Sequence, residues 1–213
     1  MSAESAGSDV HGLHRRAFVG YGVAALAGVA CAPVAHGAER AGQIEDVRGE
    51  GYAEDGSTRR TLAPAAPVFI ADRVGTGPAS RLAIHLGQRT KVRLGAETRL
   101  TIDRYLVDAG GDLTLDSGAI LFDRQAGAPP APVRIRSPFG LIAVRGTVFF
   151  AGPSNGVFGV FVQRGRVAVT GGGRSVVLQQ NQGTNIASPG AAPTPPTTWG
   201  AVRLQTAMAS VSA

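Results

Sequence analysis

Short runs of period-two alternation divided by glycine turns are the feature that most constrains this chain. Arg81-Leu82-Ala83-Ile84-His85-Leu86 alternates up to Gly87-Gln88, and Lys91-Val92-Arg93-Leu94 repeats the pattern up to Gly95-Ala96. Arg99 to Asp103, Leu113 to Leu115, Ala119 to Phe122 and Val133 to Ser137 continue it. The same pattern runs on through Val157 to Gln163, Val167 to Thr170, Val176 to Gln179 and Gly183 to Ile186. Alternation places one residue in two on a buried face, so each run predicts a strand half-buried against a second layer. The turns between them carry Gly, Asn or Asp, which reach backbone conformations closed to branched residues, and Asn155-Gly156 is a strong hairpin turn. With 30 Gly and 13 Pro in 213 residues there is little room for long helices. The expected fold is all-β, a two-layer antiparallel sandwich or roll, with a solenoid-like stack as the alternative, because both bury one strand face. Ile142 to Phe150 is a longer apolar run interrupted by Arg145-Gly146-Thr147, which reads as a register-setting bend within a sheet.

Residues 1–37 read as a twin-arginine-type signal peptide. Arg15-Arg16 with Phe18 precede a weakly apolar run from Ala17 to Ala32, and Ala35 and Gly37 have the spacing a signal peptidase accepts. That run is short and rich in Gly and Ala, a poor spanning helix. The expected location is periplasmic or extracellular after cleavage, with a soluble mature chain. Lipidation through Cys31 is the less favoured route, since Gly28 stands where a lipoprotein box wants a large aliphatic residue. The single Cys excludes a disulfide framework and cysteine-based metal sites. Residues 38–186 then form the β domain, and 187–213 a tail rich in Pro, Ala and Thr whose end either forms one short helix docked by Trp199 or frays.

Charge is segregated. From Ala38 to Asp123 there are 11 basic and 13 acidic residues; from Arg124 onward there are 8 basic residues and no carboxylate side chain. Arg134 and Arg136 share one strand face, and Arg164 and Arg166 flank Gly165. With Arg174 they form the expected contact surface: a contiguous positive patch holding Arg134, Arg136 and at least one of Arg164 or Arg166. Nucleic acid is not the expected partner, since export removes the chain from the genome and no nucleic-acid motif is present. Catalysis finds no constellation: no Gly-x-Ser-x-Gly elbow exists, and His85 stands alone on a strand face. Asp103, Asp108, Asp112 and Asp116 crowd one region without calcium-loop spacing. No enzyme activity, cofactor or metal is expected.

The order of runs and turns resembles the FecR domain, an extracytoplasmic bacterial module. Gly42-Gln43-Ile44 to Gly49 looks like its opening strand, and Arg81 to Leu86 with Lys91 to Leu94 like its strand pair. Leu113-x-Leu115-x-x-Gly118-x-Ile120-x-Phe122 matches a strand–turn–strand. Val144-Arg145-Gly146-Thr147-x-Phe149 matches the most recognisable motif, followed by a hairpin through Gly165-x-Val167-x-Val169. The resemblance runs from Gly42 to Ile186 and makes Arg145, Gly146 and Thr147 a structural motif. Named members of the family couple an outer-membrane receptor to a sigma factor through a cytoplasmic anti-sigma segment. The few residues before Leu13 leave no place for such a segment, so the anti-sigma role is not expected to carry over. The resemblance implies a non-catalytic extracytoplasmic interaction or regulatory module of the cell envelope, with an envelope protein as partner. Binding of acidic glycans, lipid headgroups or other anionic envelope polymers is the alternative.

Overall fold

The structure is a computed structural model that describes residues 39–106, 110–128 and 131–212. The readings placed on the signal segment and on Cys31 lie outside the described residues. The first nine strands are β1 (Arg40–Arg48), β2 (Gly51–Asp55), β3 (Thr58–Thr61), β4 (Pro67–Phe69), β5 (Arg73–Thr76), β6 (Arg81–Leu86), β7 (Thr90–Leu94), β8 (Arg99–Leu106) and β9 (Gly110–Ser117). Then come β10 (Ile120–Arg124), β11 (Pro132–Ser137), β12 (Gly140–Arg145), β13 (Val148–Ser154), β14 (Val157–Arg164), β15 (Val167–Gly171), β16 (Arg174–Leu178), β17 (Gln182–Ile186) and β18 (Thr197–Thr198). Among the described residues there is one helix, α1 (Ala201–Val211), after the last strand.

These strands form two sheets. One runs β18-β17-β14-β13-β10-β7-β6-β1-β4 and carries the helix on its outer face; the other, the open sheet, runs β16-β15-β12-β11-β9-β8-β5-β2-β3. Pairings are antiparallel except β9 with β11, which lie parallel because β10 between them belongs to the other sheet. The chain crosses from layer to layer every one or two strands while advancing along the stack. Alternation explains the burial: Leu82, Ile84 and Leu86 of β6, Leu113 and Leu115 of β9, and Val133 and Ile135 of β11 all turn into one core between the sheets.

Several of the crossings are made at glycine corners. Gly49, Gly118 and Gly165 have φ of +77°, +82° and +89°, the left-handed region that favours glycine. Each presses on a hydroxyl residue of a neighbouring corner: Ser80, Thr98 and Thr147 respectively. Ser80 Oγ accepts the N–H of Glu50 (2.9 Å), and Thr98 Oγ1 accepts the N–H of Ala119 (3.0 Å), in both cases the residue after the corner glycine. The hydroxyl thus satisfies a backbone donor that the turn has taken out of the ladder. Arg145-Gly146-Thr147 is also a corner. Instead of a bend inside one sheet, it carries the chain from β12 in the open sheet to β13 in the helix-side sheet. Thr147 is fully buried there, and its carbonyl accepts the N–H of Arg124 (3.1 Å).

The tail does not hang free. Residues 187–198 strap back over the β17 end of the stack: Thr184 Oγ1 donates to the Thr194 carbonyl (2.6 Å), and β18 pairs with β17. Trp199 packs on Phe161 (ring centroids 5.2 Å) and Phe150 (6.3 Å), against the backbones of Gly159 and Gly183, where no side chain intervenes. Arg203 lies 3.6 Å over the Trp199 ring and donates to Ser154 Oγ and Asn185 Oδ1. Ala207 and Val211 complete this second, smaller core with Leu121 and Phe150. No helix among the described residues is long and apolar enough to cross a membrane.

Candidate interaction face

Among the described residues nothing covers the outer face of the open sheet as α1 covers the other. Strand register lines its outward residues into rows. Asp112 of β9 lies beside Arg134 of β11, then Ala143 of β12, Ala168 of β15 and Val177 of β16. On one side of this row run Thr114, Arg136, Leu141, Thr170 and Ser175. On the other side Arg145 ends β12 and Arg166 leads into β15. Ala143, Ala168 and Val177 floor a shallow hollow of about 400 Å³, and Arg145 and Arg166 stand at its rim. Val177, on the edge strand, is 50% exposed.

Asp112 is the electrostatic centre of the face. Arg134 Nε donates to its Oδ1 at 2.8 Å and Arg134 Nη2 to its Oδ2 at 3.3 Å, a two-point contact that fixes the fork. Arg104 Nη2 reaches Oδ2 at 3.3 Å, and Arg136 Nη2 stands 3.6 Å from Oδ1. The hydrogen bond from Arg134, helped by the charges of Arg134, Arg136 and Arg104, holds the Asp112 carboxyl below the usual carboxylate range and overrides its burial. The same contact raises Arg134. Three guanidiniums therefore share one carboxylate. Arg145 and Arg166 have no carboxylate within ion-pair distance among the described residues, which leaves the face strongly cationic beside an apolar floor.

The residues expected as a contact surface are thus only partly gathered. Arg134, Arg136 and Arg166 share the open face, and Arg145 of the glycine motif joins them. Arg164 does not. It ends β14 in the helix-side sheet, where its Nη2 donates to the Arg124 carbonyl (2.6 Å) and lies 3.6 Å from Asp123 Oδ1. Arg174 is exposed at the start of β16, with the parity of inward Val176 and Leu178. Arg124 itself, counted at sequence level with the basic half, is buried between the sheets, donating to Thr90 Oγ1 (3.2 Å) and Tyr105 Oη (3.4 Å). Its parity with Ile120 and Phe122 could have revealed this.

The acidic cluster does not converge. Asp112 is engaged by arginines, Asp103 accepts from Thr114 Oγ1 (2.7 Å), Asp116 faces Arg73 at 3.9 Å, and Asp108 lies outside the described residues. Among the described residues no group of His, Cys, Asp and Glu is arranged to hold a metal ion. His85 sits on the outer face of the helix-side sheet with its Nε2 3.1 Å from Glu45 Oε2. Lys91 also bonds Glu45 and, as the largest influence, lowers its pKa.

Residues 72–168 match the family model described as FecR protein. The chain contains a FecR-like domain. The matched segment begins just before β5 and ends within β15, so it includes Asp112, Arg134, Arg136, Arg145 and Arg166. It is narrower than the span over which the sequence resembles the family. Two crystal structures of a candidate anti-sigma factor from Parabacteroides distasonis ATCC 8503 share the fold, each with a TM-score of 0.52 at 15% identity. The likeness covers 62% of this chain and 62% of that one. No curated protein matched the chain.

Proposed function

We propose that the FecR-like domain is a non-catalytic, extracytoplasmic interaction module with a regulatory role, and that the outer face of the open sheet is where its protein partner docks. The observation that carries this reading is the pairing of uncompensated cations with exposed apolar surface: Arg145 and Arg166 at the rim, Ala143, Ala168 and Val177 between them. A binding surface combines these two properties, whereas a solvated sheet face needs only the first. The regulatory part rests on the FecR-like match and on the fold shared with a protein described as a candidate anti-sigma factor. Export rests on the twin-arginine pattern at Arg15-Arg16.

A photo-crosslinking residue at Val177 tests the reading. The wild-type face should capture one envelope protein, and Arg145→Glu with Arg166→Glu should lose it while the circular dichroism spectrum stays unchanged. Equal capture by the reversed variant refutes the assignment of this face. Salt-sensitive binding to an acidic polysaccharide with no captured protein would instead favour an anionic polymer as ligand.

A further inference from the structure

Among the described residues the two sheets leave four strand edges, and three of them are blocked. At β3, Arg59 bonds Glu50 (2.6 Å) and lies over Tyr52, while Arg60 pairs with Asp72 and donates to the Pro67 carbonyl (3.0 Å). β4 has three residues, begins with a proline and meets β1 across a register shift. β18 has two residues, between Pro195-Pro196 and Trp199. Short length, proline and charged side chains are the usual means of keeping an edge from pairing. β16 has none of them along its centre. It is five residues long, without proline or carboxylate, with Val176 and Val177 adjacent. Among the described residues its backbone has hydrogen-bonded partners only in β15.

We propose that β16 accepts an added strand, an extended acidic segment of the protein partner. This rests on the docking reading above and names the chemistry and geometry of what docks. Main-chain bonds to the free edge supply the pairing, and alternate side chains of the incoming strand supply the specificity. Sheet spacing places the new strand about 5 Å beyond β16 and about 10 Å from the strand led by Arg166. An apolar residue level with Val177 then extends the row of Ala143, Ala168 and Val177. A glutamate two residues along lies within the combined reach of two long side chains from Arg166. Arg174 marks the opposite end of β16 with a second cation. With no carboxylate side chain beyond Asp123, the basic half provides no counter-charge of its own here. For the same reason a second copy of this chain is a poor occupant: pairing β16 with β16 gathers Arg166 and Arg174 from both copies with nothing to neutralise them.

The probe is a capped peptide, Asp-Glu-Val-Thr-Val-Thr-Val-Glu-Asp, titrated against the purified protein by fluorescence anisotropy. Saturable binding below about 1 mM is expected, with at least about a tenfold loss for the peptide N-methylated along both edges. A similar loss is expected for a version with lysines at the acidic positions, and for the Val177→Glu protein, whose fold is checked by circular dichroism. No binding, or binding indifferent to N-methylation, overturns strand addition. Self-association of the free protein that Val177→Glu abolishes overturns it in favour of a second copy. If N-methylation is harmless but reversing Arg145 and Arg166 still abolishes capture of the envelope protein, the docking face stands and only the strand-addition mode falls.

Discussion

Replacing Gly118 with alanine should be far more damaging than an ordinary glycine substitution. Gly118 has φ +82°, so any side chain there starts from left-handed strain of about 1–2 kcal/mol. A Cβ would lie 2.2 Å from Thr98 Oγ1 and 2.5 Å from Thr98 Cα. The second contact is with backbone, so the corner must move, at about 1–3 kcal/mol. Moving it disturbs the Thr98 hydroxyl, which accepts from Ala119 N–H (3.0 Å) and donates to the Ala119 carbonyl (3.2 Å), bonds worth about 0.5–1.5 kcal/mol each. Together these reach roughly 3–8 kcal/mol, a large part of the ~5–15 kcal/mol that holds a domain folded. Gly56 is the control: its φ is +57°, but nothing lies within 4 Å of its would-be Cβ, so only the strain remains. Thermal and urea unfolding followed by circular dichroism should show a Tm loss on the order of 10 °C for Gly118→Ala and a few degrees for Gly56→Ala. Indistinguishable losses would mean that crowding against the neighbouring corner is not what reserves the position for glycine.

Thr98→Val keeps the shape of the same corner but removes the acceptor for Ala119 N–H, and should cost about 1–3 kcal/mol in urea unfolding. Trp199→Ala should cost about 3–5 kcal/mol and lose the helical component of the spectrum early in a melt, because that indole completes the small core in which Ala207 and Val211 hold α1, and the helix has no side-chain cap at its N-terminus. Asp112→Asn should destabilise the protein at neutral pH only. The folded state lowers the Asp112 pKa, so its contribution is complete above the ordinary aspartate value of 3.8 and is lost as pH falls through the lower folded value. Urea midpoints of wild type and variant should therefore converge in strong acid, and a constant gap would refute the linkage. Arg134→Glu should likewise lower the midpoint at pH 7, since it puts a second carboxylate beside a nearly buried one, whereas Arg145→Glu should leave it unchanged.

Local structure was legible in the sequence because each strand states its own period. Leu82-x-Ile84-x-Leu86 and Val133-x-Ile135 name their buried faces without reference to any partner, and Asn155-Gly156 names its own hairpin. Sheet membership was not legible. Arg145-Gly146-Thr147 looks the same whether the chain bends within a layer or leaves it, and only the partners of β12 and β13 decide. The site suffered from the same blindness. Asp112 and Arg134 meet through a parallel pairing of β9 with β11, set by where β10 goes, and no spacing along the chain encodes it. Arg164 and Arg166 looked equivalent on either side of Gly165, yet that corner sends them to different sheets.

The layer-by-layer advance of the chain makes this domain additive in one dimension. Each crossing rests mainly on strands just before it in sequence, so the architecture can grow or shrink by whole steps without rewriting the rest. The cationic face spans several such steps, which ties the length of surface a partner can read to the number of crossings the chain makes. A relative with one pair of crossings fewer between β8 and β16 would keep the core and present a shorter footprint.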